Sequence, residues 1–140
     1  MGKLLSLAAL AALFAAPVLA EPPERFKEGE QVSISGEFVC VTDSQIRLIM
    51  EGFAVDSAVG VATYIALQQI PSPYGGPACA VARSNTVTLV ANAGHVENVN
   101  LPGGEVGTVY IIEIEYLSRA GRVSGFASSF WPLPKRGVAL

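Results

Sequence analysis

Two cysteines bracket everything helical in this chain of 140 residues. Cys40 closes the alternating run "QVSISGEFVC", and Cys79 opens the next run of strand character, "CAVAR". Each cysteine has the other as its single available partner, and an exported chain with two cysteines most simply carries one disulfide. Such a bond ties the start of the first helix to the start of the strand that follows the second. It closes a loop of about forty residues, worth roughly 4 kcal/mol in the chain-entropy picture.

Inside the bracket the apolar period is helical. Thr42-Asp43-Ser44-Gln45 fits a capping box, in which the Thr hydroxyl accepts from a backbone N–H three residues on and Gln45 reaches back. Ile46, Ile49, Met50 and Phe53 follow at helical spacing, and Gly52 is expected to weaken or end that helix. Asp56 or Ser57 caps a second helix. Its stripe of Val59, Ala62, Ile65, Ala66 and Ile70 is expected to pack on a sheet, so "FAVDSAVGVATYIALQQI" reads as core and not as a membrane span. "PSPYGGP" stops it.

After that loop the period changes to two. "CAVAR", "TVTLVANA" and "HVENVNL" read as three short strands parted by Ser84-Asn85 and by Gly94. "PGGE" is a turn. "GTVYIIEIEYL" is the strongest strand signal, with Tyr110, Ile112, Ile114 and Tyr116 on one face and Val109, Ile111, Glu113 and Glu115 on the other. "SRAG" turns it into "RVSGFASSF", a hairpin partner. The order is α+β: a small curled antiparallel sheet with an inserted helical pair covering one side and one disulfide. Short strands joined by Gly turns suit an SH3-like barrel.

Residues 1–20, "MGKLLSLAALAALFAAPVLA", have the layout of a secretory signal peptide, with one charge at Lys3, an apolar stretch, and compact residues before a cleavage point after Ala20. The expected organisation is a signal peptide over 1–20, a flexible leader over 21–30, one α+β domain over 31–131 and a C-terminal tail over 132–140. The expected location is periplasmic or secreted, with no membrane span once the signal is removed. Eight basic residues then face twelve acidic ones, a net charge of −4. With no basic cluster to offset phosphate charge, nucleic acid is not an expected partner.

Candidates for chemistry are few. Two cysteines and one histidine fall short of four zinc ligands, and neither a metal nor a cofactor is expected. "RVSGF" lacks the first glycine of a nucleophile elbow, and "PGGEVG" lacks the Lys and helix start of a phosphate loop. A small hydrolase would have to use Cys79 with His95, or the pair Glu113 and Glu115. Phe126, Phe130 and Trp131 read in two ways. They close the core under the last strand, or Phe130 and Trp131 form a recognition surface to which Tyr74 also belongs.

The segments "VCVTDSQIRLIMEGF" and "GGPACAVA" resemble those of a group of small secreted bacterial proteins of uncharacterised function, with a strand, a Cys, a helical pair, a second Cys and then strands. That resemblance implies an exported bacterial domain with a disulfide and an SH3-like or small mixed sheet. It brings no activity and no functional residue with it. The reading is therefore a small non-catalytic binding or structural domain whose partner is another protein or a cell-envelope component. One alternative is an inhibitor of an envelope hydrolase, presenting "PSPYGGP" or "PGGE". Self-pairing through an exposed edge of the 109–117 strand is a further expectation.

Overall fold

The structure is a computed structural model that describes residues 27–131 and Leu133. The expected signal peptide, the first part of the expected leader, Pro132 and the expected tail from residue 134 onward lie outside the described residues. The elements run β1 (Gln31–Ile34), β2 (Phe38–Cys40), α1 (Asp43–Val55), α2 (Ser57–Gln68), β3 (Cys79–Val81), β4 (Asn85–Asn100), β5 (Val106–Ser118) and β6 (Gly121–Ser129).

One short connection dictates the shape of the sheet. Its strand order is β1-β4-β5-β6-β2-β3, with every pairing antiparallel, so β4, β5 and β6 lie between β1 and β2. In a flat sheet, four strand spacings of about 4.8 Å would set β1 and β2 roughly 19 Å apart. The chain from Ile34 to Phe38 spans roughly 14 Å even when fully extended. The sheet must therefore curl into a half-barrel, and it does.

Curling gives β5 two apolar faces. Ile112 and Ile114 point inside the curl, with Val32, Ile34, Val87, Leu89 and Ala127. Val109 and Ile111 point outward beneath α1, with Ile46, Ile49, Met50, Val99 and both cysteines. The outward layer runs out before Glu113 and Glu115, which are half-buried. β5 is paired along both edges, to β4 and to β6. The expected free edge at 109–117 is therefore absent, because the strongest strand signal belongs to an interior strand.

The helix start is as the sequence indicates. Gln45 N–H donates to Thr42 Oγ1 at 3.2 Å, and Thr42 N–H donates to Gln45 Oε1 at 3.2 Å. Asp56 is the single residue between the helices and caps α2, its Oδ1 accepting from Ala58 N at 2.6 Å and Val59 N at 3.2 Å.

Three expectations need correction. Gly52 does not end α1. It is buried where the helices cross, and a methyl group on it would lie 3.1 Å from Gly60 Cα. The α2 stripe does not pack on the sheet: Val59, Ile65 and Ile70 stay 40%, 50% and 45% exposed. α2 is apolar nearly all round, so its period could not select a face. The face it buries against α1 is the one that carries Gly60 and Leu67. The strands expected over 86–93 and 95–101 are one strand, β4. Gly94, at φ +142°, makes a shift in register there and not a turn.

Residues on both sides of 31–131 also bond to the sheet. Gly29 N–H donates to Leu89 O at 2.6 Å, and Leu89 N–H donates to Glu30 O at 2.9 Å, so the end of the expected flexible leader extends the β1 ladder. Leu133, expected in the tail, is buried within the curl. Asn92 holds it twice: Leu133 N–H donates to Oδ1 at 2.9 Å, and Asn92 Nδ2 donates to Leu133 O at 2.7 Å.

Candidate functional site

The outward layer is unsealed at one end. Where α1 finishes and the sheet curls away, a cleft of about 660 Å³ opens over Met50, Val99 and Val109, all three buried. A cleft of that size lies in the range that takes small-molecule ligands.

Its walls come from four parts of the chain. Phe53 of α1 and Phe38 of β2 stand with ring centres 5.7 Å apart, and Tyr64 of α2 meets Phe38 edge-on at 5.0 Å from behind. Leu101 and Pro102, in the turn after β4, form a second side, and Phe130 and Trp131 after β6 form a third. Phe53 is held from both directions. Asn100 Nδ2 donates to its carbonyl at 2.8 Å, and α2 crosses so closely that a methyl on Gly60 would run into its ring. Trp131 is set by Ser129, whose Oγ accepts from Trp131 N–H at 3.1 Å and donates to Trp131 O at 2.7 Å.

Glu37 supplies the charge. It sits in the three-residue link that crosses between the two ends of the sheet. Its backbone is tied to β3's end: Ala82 N–H donates to Glu37 O at 2.8 Å, and Gly36 N–H donates to Ala82 O at 2.9 Å. Its side chain lines the cleft. Among the described residues, Glu37 Oε1 is the one buried side-chain oxygen or nitrogen with no hydrogen-bond partner. Leaving a buried acceptor unsatisfied costs about 1–3 kcal/mol, more where it is charged. Next to it Phe38 N–H donates to Ser128 Oγ at 3.0 Å, so the neighbouring backbone is satisfied.

The residues singled out from sequence fall in different places. Cys40 and Cys79 face each other across β2 and β3 and form the disulfide, with Cα atoms 4.1 Å apart. With both sulfur atoms in that bond, Cys79 has no thiolate to offer His95. His95 stands on exposed β4 with Nε2 3.2 Å from Glu97 Oε2. Glu115 faces Arg122 at 3.8 Å, and neither it, Glu113 nor His95 lines the cleft. Phe130, 53% exposed, and Trp131 are brought together at the cleft, while Phe126 packs under α1. Tyr74 is not with them. It lies close to Tyr116, whose hydroxyl is raised above its ordinary pKa of 10.0 by burial first and by Tyr74 second. The PGGE turn supplies Pro102 and Gly104 to the cleft rim, and PSPYGGP forms a separate small loop closed by a Pro71–Pro77 bridge.

Glu37, Phe38, Met50 and Phe53 are the site residues that sequence reasoning missed. The available signal was Glu37 itself, the one charge in the apolar stretch "QVSISGEFVCVT". No protein-family model matches this chain, and comparison with curated proteins and with solved structures yields no match.

Proposed function

We propose that this is a non-catalytic binding domain and that the cleft over Met50, Val99 and Val109 is where it binds. The carrying observation is the cleft itself: an apolar floor, four aromatic rings on its walls and rim, and a single carboxylate. Preformed concave sites of this make-up bind through burial and orient through a few polar groups. The disulfide accords with an oxidising environment, and among the described residues no helix is long and apolar enough to cross a membrane. A periplasmic or secreted location, a bacterial source and an envelope component or protein as natural partner are part of this proposal. So is the SH3-like description, which the curl and the short β1–β2 link support.

The test uses the chain's one tryptophan, Trp131, which lies at the cleft. A neutral apolar dye such as Nile red is expected to bind at one site, take energy from Trp131 and lose that signal in Phe130→Ser. Phe130 is exposed enough that the variant folds. Dye that binds equally well to Phe130→Ser, or that shows no transfer from Trp131, contradicts the assignment.

A further inference from the structure

Resting on that reading, we infer that the cleft selects an amphipathic small molecule with an apolar body and a protonated amine, the ammonium group meeting Glu37. Two observations converge on this chemistry. Glu37 is the one charged residue lining the cleft among the described residues, and a carboxylate oxygen accepts hydrogen bonds and does not donate them. An alcohol or an amide would also donate, so the second observation decides. Phe38, Phe53, Phe130 and Trp131 line the same cleft, and the faces of aromatic rings attract cations. An anion would meet a carboxylate there, and among the described residues neither Lys nor Arg lines the cleft to offset it. The apolar body is required by Met50, Val99, Leu101 and Val109, which offer the ligand no polar side chain.

The probes are octylammonium, octanol and octanoate, equal in chain length and different in head group, each titrated calorimetrically into the full chain with Trp131 emission followed in parallel. The expected order of affinity is octylammonium, then octanol, then octanoate. Glu37→Gln is expected to weaken octylammonium on the order of tenfold to a hundredfold and to leave octanol within about threefold, the range set by a hydrogen bond to a charged group. Glu97→Gln, on the exposed His95 pair, is the control and is expected to change none of the three. Matched thermal melts of the variants show that both fold.

Equal binding of all three probes overturns the ammonium inference while leaving the cleft a binding site. Tightest binding by octanoate overturns it too, as does a Glu37→Gln variant that holds octylammonium undiminished. Binding by none of them removes both the inference and the proposed function. Trp131 emission that tracks protein concentration alone assigns the cleft to a second copy of the chain and overturns the inference as well.

Discussion

The two faces of one sheet are finished to different degrees: the layer inside the curl leaves a small cleft of about 190 Å³ beside Val87 and Ile114, the layer under α1 one of about 660 Å³. Inside the curl, Ile112, Ile114, Val87 and Leu89 are closed over by Tyr110, Tyr116 and Leu133, and Asn92 latches Leu133 through two hydrogen bonds. Under α1, Ile46, Ile49 and Ile111 are as deeply buried and are also cross-linked through Cys40 and Cys79. That second layer nevertheless stops short and leaves Met50, Val99 and Val109 at the floor of an open cleft. Polar satisfaction differs in the same direction. The buried orphan acceptor among the described residues, Glu37 Oε1, belongs to the open layer. Close packing and complete hydrogen bonding are the usual condition of an interior, and the proposed binding site lies at the end that lacks both.

The largest expected effect falls on the cross-link. Replacing both cysteines by Ala should lower the unfolding free energy by about 4 kcal/mol, the value for a loop of this length. Urea unfolding with and without reductant measures it, and an unchanged midpoint would mean that the open layer does not depend on its staple. Next come truncations that weigh the layers against each other. Ile114→Ala, in the layer with the smaller cleft, should cost about 4 kcal/mol, whereas Met50→Ala, whose space adjoins the larger one, should cost about 2 kcal/mol. Equal losses would erase the distinction between the two layers.

How far the sequence revealed this arrangement depended on the kind of signal each part carried. The helix starts were legible because Thr42, Gln45 and Asp56 act through local hydrogen bonds. The disulfide was legible because two cysteines leave one pairing. The curl was expected from short strands joined by Gly turns, but its cause was hidden, since the short β1–β2 link forces it only once β1 is known to pair with β4 and β2 with β6. The cleft was hidden for the same reason: Glu37, Met50, Val99 and Trp131 are assembled by strand order. Phe130 and Trp131 stood out as aromatics without visible partners, while Phe38 and Phe53 were taken for ordinary apolar periodicity. Tyr74 was grouped with Phe130 and Trp131 because residue type alone carries no position, and the structure sets it near Tyr116 instead.

Smaller effects sharpen the comparison at its margins. Asp56→Ala removes two hydrogen bonds from the start of α2, the helix whose Gly60 backs the Phe53 ring. A loss of about 1 kcal/mol in thermal or urea unfolding is expected. Looser Nile red binding should accompany it if α2 holds the cleft wall, and undisturbed binding would show that it does not. The smallest effect belongs to the layer inside the curl. Tyr116 is harder to ionise in the folded protein than its ordinary 10.0, through burial and then Tyr74. Its contribution is therefore complete below pH 10 and is lost as pH rises past 10.0 through the raised folded value. Melting temperatures followed across that range should fall more steeply in the wild-type chain than in Tyr116→Phe.

The central claim, that the ligand-sized cleft belongs to the layer under α1 and not to the layer inside the curl, is met most directly by methyl NMR during a titration with octanol. The expected result is saturable shifts of the Met50, Val99, Leu101 and Val109 methyls, with those of Val87, Leu89, Ile112, Ile114 and Leu133 unmoved. Shifts shared by both sets, or confined to the second, would contradict the account.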